Sequence, residues 1–157
     1  MRPDDALEDA LVRTSFRVMA VLTRIGSEHD LSLTQLRLLG FLRDRRPRMT
    51  DLAEFLGLDK STMSGLVERA ERRGLVARGK SPEDRRVVDV FITPTGSELA
   101  ERLQEEIRAA LAPYTDRLCA DDRHALTQLL ASLSGTPPEN GGKEGSTNGT
   151  RPHASAT

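Results

Sequence analysis

The chain has 157 residues, and its 24 acidic and 23 basic side chains give a formal net charge of −1. This length fits one domain with enough chain to bury a core. The near-zero net charge does not by itself support nucleic-acid binding, so the distribution of charge matters more. Between residues 43 and 86, twelve basic side chains stand against eight acidic ones, a local excess of four positive charges. Tryptophan is absent and aromatic residues are 3 % of the chain, which argues against single-strand binding by stacking.

Cys119 is the single cysteine, so the sequence excludes an intramolecular disulfide and a cysteine-rich metal site. The first ten residues, MRPDDALEDA, are acidic and hold no long apolar run, so they predict neither a signal peptide nor a membrane span. We therefore expect a soluble, cytoplasmic protein. The sequence has no phosphate-binding glycine loop, no His-x-x-x-His pattern and no nucleophile elbow, and we expect neither an enzyme nor a metal or cofactor.

The N-terminal part of the chain predicts two helices. Apolar residues at helical spacing over residues 5–28 indicate a long first helix. Ser32 and Gln35 form the capping-box pattern Ser-x-x-Gln, which opens a second helix. Pro47 should end that helix, because the residue before a proline is pushed out of the helical conformation. Residues 48–49 are then available as a short strand beside a later hairpin.

Two further helices follow, with a tight turn between them. Thr50 is predicted to cap a short helix over residues 51–56, which Gly57 ends. Asp59 is predicted as the next N-cap, because its carboxylate can accept hydrogen bonds from free N–H groups of the following turn. Gly74 can adopt the left-handed conformation and should end the helix that Asp59 opens. One face of this helix is apolar, at Met63, Leu66, Val67 and Ala70.

The opposite face of the same helix carries small hydroxyl side chains, a glycine and long polar side chains. At about 100° per residue it is centred on Ser61, Gly65, Glu68 and Arg72 and flanked by Thr62, Ser64 and Arg69. Such a surface can approach base edges and phosphates in a major groove. For the helix alone, an ordinary solvated face is an equally good interpretation.

A β-hairpin is predicted directly after this helix. Residues 75–80 and 86–92 have the β-branched composition of short strands, and residues 81–85 form the turn between them. Arg85 and Arg86 bring two guanidinium groups to this turn, where they suit a minor groove. A helix followed by a charged hairpin is typical of a winged helix-turn-helix, and it predicts binding of double-stranded DNA.

These features, in this order, resemble the multiple-antibiotic-resistance regulator (MarR) family of bacterial transcription factors. The resemblance rests on TDLAEFLGLDKSTMSGLVERAERRGLV and SPEDRRVVDVFITPTG, which belong to a match over residues 31–96. Counterparts of the family's flanking helices extend it to roughly residues 5–134. The family's wing carries an Asp-x-Arg motif, which falls here on Asp84 and Arg86. In the family the aspartate orients the arginine, and the arginine enters the minor groove.

The resemblance implies a mainly α-helical winged helix-turn-helix with a small β-hairpin wing. Residues 1–134 would form one domain, with dimerisation helices at 5–30 and 94–134 and a DNA-binding lobe at 31–93. The chain would be a repressor that binds a pseudo-palindromic site as a homodimer. The DNA contacts would come from Lys60, Ser61, Thr62, Ser64, Gly65, Arg69, Arg72, Asp84, Arg85 and Arg86. Gly65 departs from the family, which often has a long polar side chain at or next to this point.

The C-terminal part predicts two more helices. Thr93 and Pro94 suit the N-cap and first residue of a long helix, in which Pro113 should cause a kink. Asp121 is predicted to cap a final helix. The apolar stripes of the first helix and of residues 99–118 exceed what a small winged-helix lobe can cover, so we expect a second copy of the chain to cover them. Residues 135–157 are predicted to be disordered, since eight of these 23 residues are Gly or Pro.

Members of the family often bind aromatic or carboxylate-bearing small molecules in a cleft between the dimerisation helices and the DNA-binding lobe. The resemblance therefore implies such an effector, with Arg17 and His29 as candidate anion contacts. Cys119 is predicted to be a small, semi-buried residue and not an oxidant sensor. Two alternatives stay open, a winged-helix protein-interaction module without DNA binding and a constitutive regulator that needs no ligand.

Overall fold

The computed structural model describes residues 3–135, with side chains from residue 5 onward, so the predicted disorder of residues 136–157 lies outside the described residues. The elements of the described range follow in the order α1 (Pro3–Glu28), α2 (Leu33–Leu42), α3 (Met49–Leu56), α4 (Lys60–Arg72), β1 (Val76–Lys80), β2 (Val88–Ile92), α5 (Pro94–Thr115) and α6 (Ala120–Leu133). This order confirms the predicted fold class, a mainly α-helical winged helix with a hairpin. The chain divides into two compact units after Asp116, with α6 in the second. The single-domain organisation of residues 1–134 stays a prediction.

The core of the first unit is built from the apolar faces of its helices and the hairpin. The predicted apolar stripe of α4 is buried, at Met63, Leu66, Val67 and Ala70. It belongs to one cluster with residues from every other element of this unit, including Ile25, Leu38, Leu39, Leu42, Leu52, Val76, Val90, Leu99 and Leu103. Burial of these side chains away from water is the main force that holds α4 in place.

The hairpin pairs its two strands in antiparallel register, with Val76 opposite Ile92 and Lys80 opposite Val88. The second strand begins two residues later than predicted. The reason is a longer turn, in which the Val87 N–H donates a hydrogen bond to the Asp84 carbonyl at 2.9 Å.

The start of α3 differs from the prediction. Arg48 is its N-cap, without a side-chain capping bond, so the assignment of Thr50 as N-cap is wrong. Arg48 is held in an extended conformation by an antiparallel bridge to Asp89 of β2, and the helix therefore begins at the next residue. This bridge confirms, for Arg48, the predicted short strand beside the wing. The end of α2 was also misplaced, because that helix stops at Leu42 and not at Pro47.

Helix α5 begins as predicted and continues past its proline. The Thr93 side chain accepts a hydrogen bond from the Gly96 N–H at 3.0 Å, which confirms Thr93 as the N-cap. The helix contains Pro113 and ends at Thr115, and a kink at this point stays a prediction.

The N-cap of helix α6 lies two residues earlier than predicted. Its N-cap is Cys119, whose sulfur accepts a hydrogen bond from the Asp122 N–H at 3.5 Å. Asp121 is therefore not the cap; it lies with Asp122 in the first turn, where carboxylates are favourable near the helix N-terminus. Cys119 is exposed, so its predicted semi-buried position is also wrong.

Several large apolar side chains of α1 remain exposed. The exposed fractions are 59 % for Leu7, 49 % for Val12, 66 % for Phe16 and 47 % for Met19. Large apolar side chains exposed together on one helix often mark an interaction site. Of the predicted stripe, Leu7 is exposed and Ile25 is buried, so coverage of α1 by a second copy of the chain stays a prediction.

We expect the substitution Gly96→Ala to destabilise the fold strongly. A Cβ at this position would collide with the Leu75 carbonyl oxygen and lie 2.8 Å from its carbon and 2.9 Å from Ile92 Cγ1. Because backbone on one side and the half-buried Ile92 side chain on the other must move, the free energy of unfolding should fall by about 3 kcal/mol. Urea unfolding followed by circular dichroism measures this change.

Gly40→Ala is the matched control, since Gly40 is also helical but a Cβ there meets nothing within 4 Å. It should stabilise the protein by up to about 1 kcal/mol through helix propensity alone. If both variants had the urea midpoint of the wild type, the close approach of α5 to Leu75 would not contribute to the free energy of unfolding.

Candidate DNA-binding site

The N-terminal end of α4 is fixed by Asp59. Its carboxylate accepts hydrogen bonds from the Thr62 N–H at 2.9 Å and from the Thr62 hydroxyl at 2.5 Å. These bonds, the hydroxyl's first, lower the pKa of the exposed Asp59 carboxyl below its ordinary value. The prediction of Asp59 as N-cap is therefore confirmed. Because the Thr62 hydroxyl donates its proton to Asp59, it can only accept hydrogen bonds from another molecule.

The face of α4 opposite the core is open to solvent. Seven residues of this helix are predicted to contact DNA. Five of them are exposed, Lys60, Ser61, Thr62, Arg69 and Arg72, and two are half-buried, Ser64 and Gly65. Within the described range, the three basic side chains on this face have no carboxylate at ion-pair distance. Their positive charge is therefore available to phosphates.

Gly65 leaves a gap in the side chains of this face. A Cβ added there would meet only Arg69 Nη1, at 3.4 Å, so internal packing does not require a glycine. What the glycine provides is a flat patch of helix surface, over which another molecule can come close to the backbone.

Arg78 of β1 supports α4 from the side of the hairpin. Its Nη2 donates to the Ser64 carbonyl at 3.3 Å, and its Nε lies 3.3 Å from a carboxylate oxygen of Glu71. This arginine is used inside the protein, between the hairpin and the helix. The sequence analysis missed it, because its partners Ser64 and Glu71 lie 14 and 7 positions earlier and become neighbours only after folding.

The wing holds Asp84 and Arg86 in the arrangement that the family resemblance implied. Asp84 Oδ1 accepts from the Arg86 N–H at 3.0 Å and from Arg86 Nε at 3.3 Å. The Arg86 side chain is 91 % exposed, whereas that of Asp84 is 39 % exposed. The aspartate thus fixes the direction of an arginine that otherwise extends into solvent, and Arg85 beside it is also exposed.

The base of the wing is held by Arg46, which the sequence analysis did not single out. Its Nε lies 3.5 Å from Asp89 Oδ2, its Nη2 donates to the Lys80 carbonyl at 3.1 Å, and its guanidinium stacks 4.3 Å from the Phe91 ring centre. Asp89 is buried, so its charge requires such a partner. The run RDRRPR between α2 and α3 was the available signal, because it places several guanidinium groups beside the predicted short strand at residues 48–49.

An open cleft of about 310 Å³ lies between α2 and α5. Its lining is mostly apolar, with three polar side chains, and consists of Leu36, Leu39, Gly40, Arg43, Ala100, Leu103, Gln104, Ile107 and Arg108. Arg43 already donates to Gln104 at 2.6 Å and to Asp44 at 3.0 Å. Arg108 forms no ion pair with any described residue, so its charge is available to a ligand.

The structure does not bring the two predicted anion contacts together. Arg17 lies over the Tyr114 ring at 5.9 Å, and His29 Nε2 lies 3.0 Å from both carboxylate oxygens of Glu106. Both belong to α1 or its C-terminal turn, about 18 Å apart along a helix axis. Neither lines the cleft between α2 and α5, and their assignment as anion contacts stays a prediction.

Neither a metal site nor a membrane-spanning helix occurs in residues 3–135. No group of three or more His, Cys, Asp or Glu side chains there could hold a metal ion. None of the helices in this range is long and apolar enough to cross a membrane.

Comparison with known proteins agrees with this geometry. A model of the MarR family matches residues 29–87. The chain is 32 % identical over 124 residues to the HTH-type transcriptional regulator YfiV of Bacillus subtilis (strain 168), covering 74 % of this chain and 78 % of that protein. It is 30 % identical over 128 residues to the homoprotocatechuate degradative operon repressor of Escherichia coli, covering 80 % of this chain and 86 % of that protein.

A solved structure, NadR in complex with 4-hydroxyphenylacetate, superposes with a TM-score of 0.69 at 25 % identity, over 82 % of this chain and 92 % of that one. The named relatives are transcription regulators, which favours a DNA-binding regulator over a protein-interaction module. The winged helix, its Asp-x-Arg wing and these likenesses together show that the chain belongs to the MarR family of transcription regulators, which bind DNA as dimers.

Proposed function

We propose that this regulator represses transcription by binding a pseudo-palindromic duplex, with α4 of each protomer in a major groove and Arg86 in the adjacent minor groove. The observation that carries the proposal is the wing geometry, in which Asp84 directs a guanidinium group that is 91 % exposed. A narrow minor groove has an enhanced negative potential that attracts such a side chain.

The proposed contacts on α4 divide into two groups. Ser61, Thr62, Ser64 and Gly65 would lie against base edges, because they are small and occupy the N-terminal half of the outer face. Lys60, Arg69, Arg72 and Arg85 would contact phosphates, because their charges have no partner among the described residues.

The exposed apolar side chains of α1 support the homodimer. A second copy of the chain would cover Leu7, Val12, Phe16 and Met19, which are between 47 % and 66 % exposed in one chain. Two-fold symmetry would then present two α4 helices to half-sites about 34 Å apart.

We also propose that the protein responds to a small aromatic or carboxylate-bearing effector in the cleft between α2 and α5. The apolar lining suits a ring, and Arg108 at the cleft suits a carboxylate. The binding of 4-hydroxyphenylacetate by NadR gives this ligand class a precedent in a similar fold. The alternative is a constitutive regulator that needs no ligand.

We further propose that the protein acts in the cytoplasm and has no catalytic activity, since its named relatives are transcription regulators.

The wing is tested by Arg86→Ala. Loss of a minor-groove guanidinium should weaken specific binding roughly 10- to 100-fold, equivalent to about 1–3 kcal/mol, while the dimer stays intact. Fluorescence anisotropy with duplex DNA from upstream of the gene measures the affinity, and light scattering measures the dimer.

Arg37→Ala is the matched control, because it removes an exposed guanidinium from α2, outside α4 and the wing. Its affinity should equal that of the wild type. Equal affinities for the Arg86→Ala and Arg37→Ala proteins would remove the wing from the DNA interface.

The flat patch at Gly65 is tested by Gly65→Ala. Inside the protein the new methyl has room, so helix propensity should raise the free energy of unfolding by up to about 1 kcal/mol. If α4 presses closely against the groove at this point, the same methyl should weaken DNA binding. Gly40→Ala again serves as control, and a Gly65→Ala protein that is more stable and binds DNA normally would contradict a close approach.

The effector is tested by thermal unfolding in the presence of 4-hydroxyphenylacetate. A ligand at 100 times its dissociation constant should add about 2.7 kcal/mol of stability, and the complex should release DNA. Arg108→Ala should lose the thermal shift, whereas Arg102→Ala, on the same helix but outside the cleft lining, should keep it. No shift with any aromatic carboxylate would favour the constitutive regulator.

A further inference from the structure

The C-terminal end of α4 is attached to the turn that follows α1. Arg73, the C-cap residue of α4, extends its guanidinium across to this turn. Nη1 donates to the Asp30 carbonyl at 2.6 Å, and Nη2 donates to the His29 carbonyl at 3.0 Å. Two adjacent donors of one planar group thus bind two consecutive carbonyls, an arrangement that fixes direction as well as distance.

The turn that receives Arg73 has an unusual and well-defined backbone. Asp30 adopts φ +56°, the left-handed conformation that few residues other than glycine occupy. The N–H groups of His29 and Leu31 both donate to the Gly26 carbonyl, at 3.1 Å and 2.8 Å. The two carbonyls that accept from Arg73 are therefore held by the end of α1 itself.

The same turn is attached to α5 on its other side. His29 Nε2 lies 3.0 Å from both carboxylate oxygens of Glu106, and the pair is partly buried, at 24 % and 41 % side-chain exposure. One short turn thus contacts two helices. Its carbonyl groups bind Arg73 at the end of α4, the proposed DNA-contacting helix. Its His29 imidazole binds Glu106 of α5, a proposed dimerisation helix.

Arg73 differs in this respect from its neighbour on α4. Arg72 is exposed and has no partner among residues 3–135, whereas both terminal nitrogens of Arg73 are used inside the protein. The two arginines are adjacent in sequence and carry the same charge. Substituting each arginine in turn therefore separates the effect of losing a phosphate contact from the effect of losing an internal attachment.

We propose that Arg73 is a positioning residue for DNA recognition, and that the His29–Glu106 pair holds the turn on which Arg73 acts. Arg73 fixes the far end of a helix about 20 Å long, so its loss lets the N-terminal half of α4 change direction relative to α5. His29 thereby has a role in the protein's own framework, distinct from contact with an effector. The proposal rests on the proposed function of α4 in the major groove.

The test compares Arg73→Ala with Arg72→Ala in titrations of specific and random duplexes over a range of salt concentrations. Arg73→Ala should weaken specific binding roughly tenfold or more, the scale of a mismatched base pair, and leave random binding and the salt slope unchanged. A purely structural defect would instead reduce both affinities in proportion to the folded fraction. Arg73→Lys, which can reach only one carbonyl at a time, should fall between the wild type and Arg73→Ala.

Arg72→Ala should behave in the opposite way. Each phosphate contact contributes about 0.9 to the salt slope, so a dimer that loses two contacts should lose about 1.8 from it. The same loss of slope in Arg73→Ala would overturn the proposal, because it would identify Arg73 as a phosphate contact.

Glu106→Ala examines the second half of the attachment. It should also weaken specific binding without a change of salt slope, and the double variant with Arg73→Ala should lose less than the sum of the two single effects. Strict additivity would overturn the role of the His29–Glu106 pair.

Unchanged specific binding by Arg73→Ala, with binding weakened by Arg86→Ala, would overturn the proposal and leave the proposed function standing. If Arg72→Ala, Arg73→Ala and Arg86→Ala all bound normally, the proposed interface itself would fail.

Discussion

The carbonyl group of Leu75 is the point at which the functional parts of this regulator meet. It accepts the Thr93 N–H at 3.1 Å, and it lies against Gly96 in the first turn of α5. The Thr93 hydroxyl donates to the Gly74 carbonyl at 2.6 Å. The end of α4, both ends of the hairpin and the start of α5 are therefore joined within a few residues. A side chain on Gly96 would separate them, and every proposed DNA contact depends on their remaining together.

The basic side chains of the DNA-binding lobe form two groups, those with a partner inside the protein and those without one. This division explains how a chain with a net charge of −1 can bind DNA. Arg46, Arg73 and Arg78 donate to carboxylates or carbonyls within the protein, and they hold the wing and α4 in position. Lys60, Arg69, Arg72 and Arg85 have no such partner in the described part of the chain. Three of these unpaired charges lie on α4 and one on the wing, so the DNA-binding lobe is locally positive although the sum over the chain is not.

Local sequence patterns predicted the elements whose boundaries depend on nearby residues. Asp59 caps α4 through a residue three positions away, and Thr93 caps α5 in the same way. The contact between Asp84 and Arg86, which the family resemblance implied, is equally local. The N-cap of α3 was misplaced because it depends on a bridge from Arg48 to Asp89, forty-one positions further along the chain. The contacts made by Arg46, Arg73 and Arg78 were not predicted for the same reason, since their acceptors become neighbours only after folding.

The exposed thiol at the start of α6 has a practical consequence. Cys119 is the only cysteine of the chain and is open to solvent, so a maleimide or nitroxide reagent would label each protomer once without any prior mutation. Its role as N-cap rests on one long sulfur hydrogen bond, at 3.5 Å, which a label can replace at small cost to the helix. In a dimer labelled on both protomers, the distance between the two labels could then be measured in solution with and without DNA.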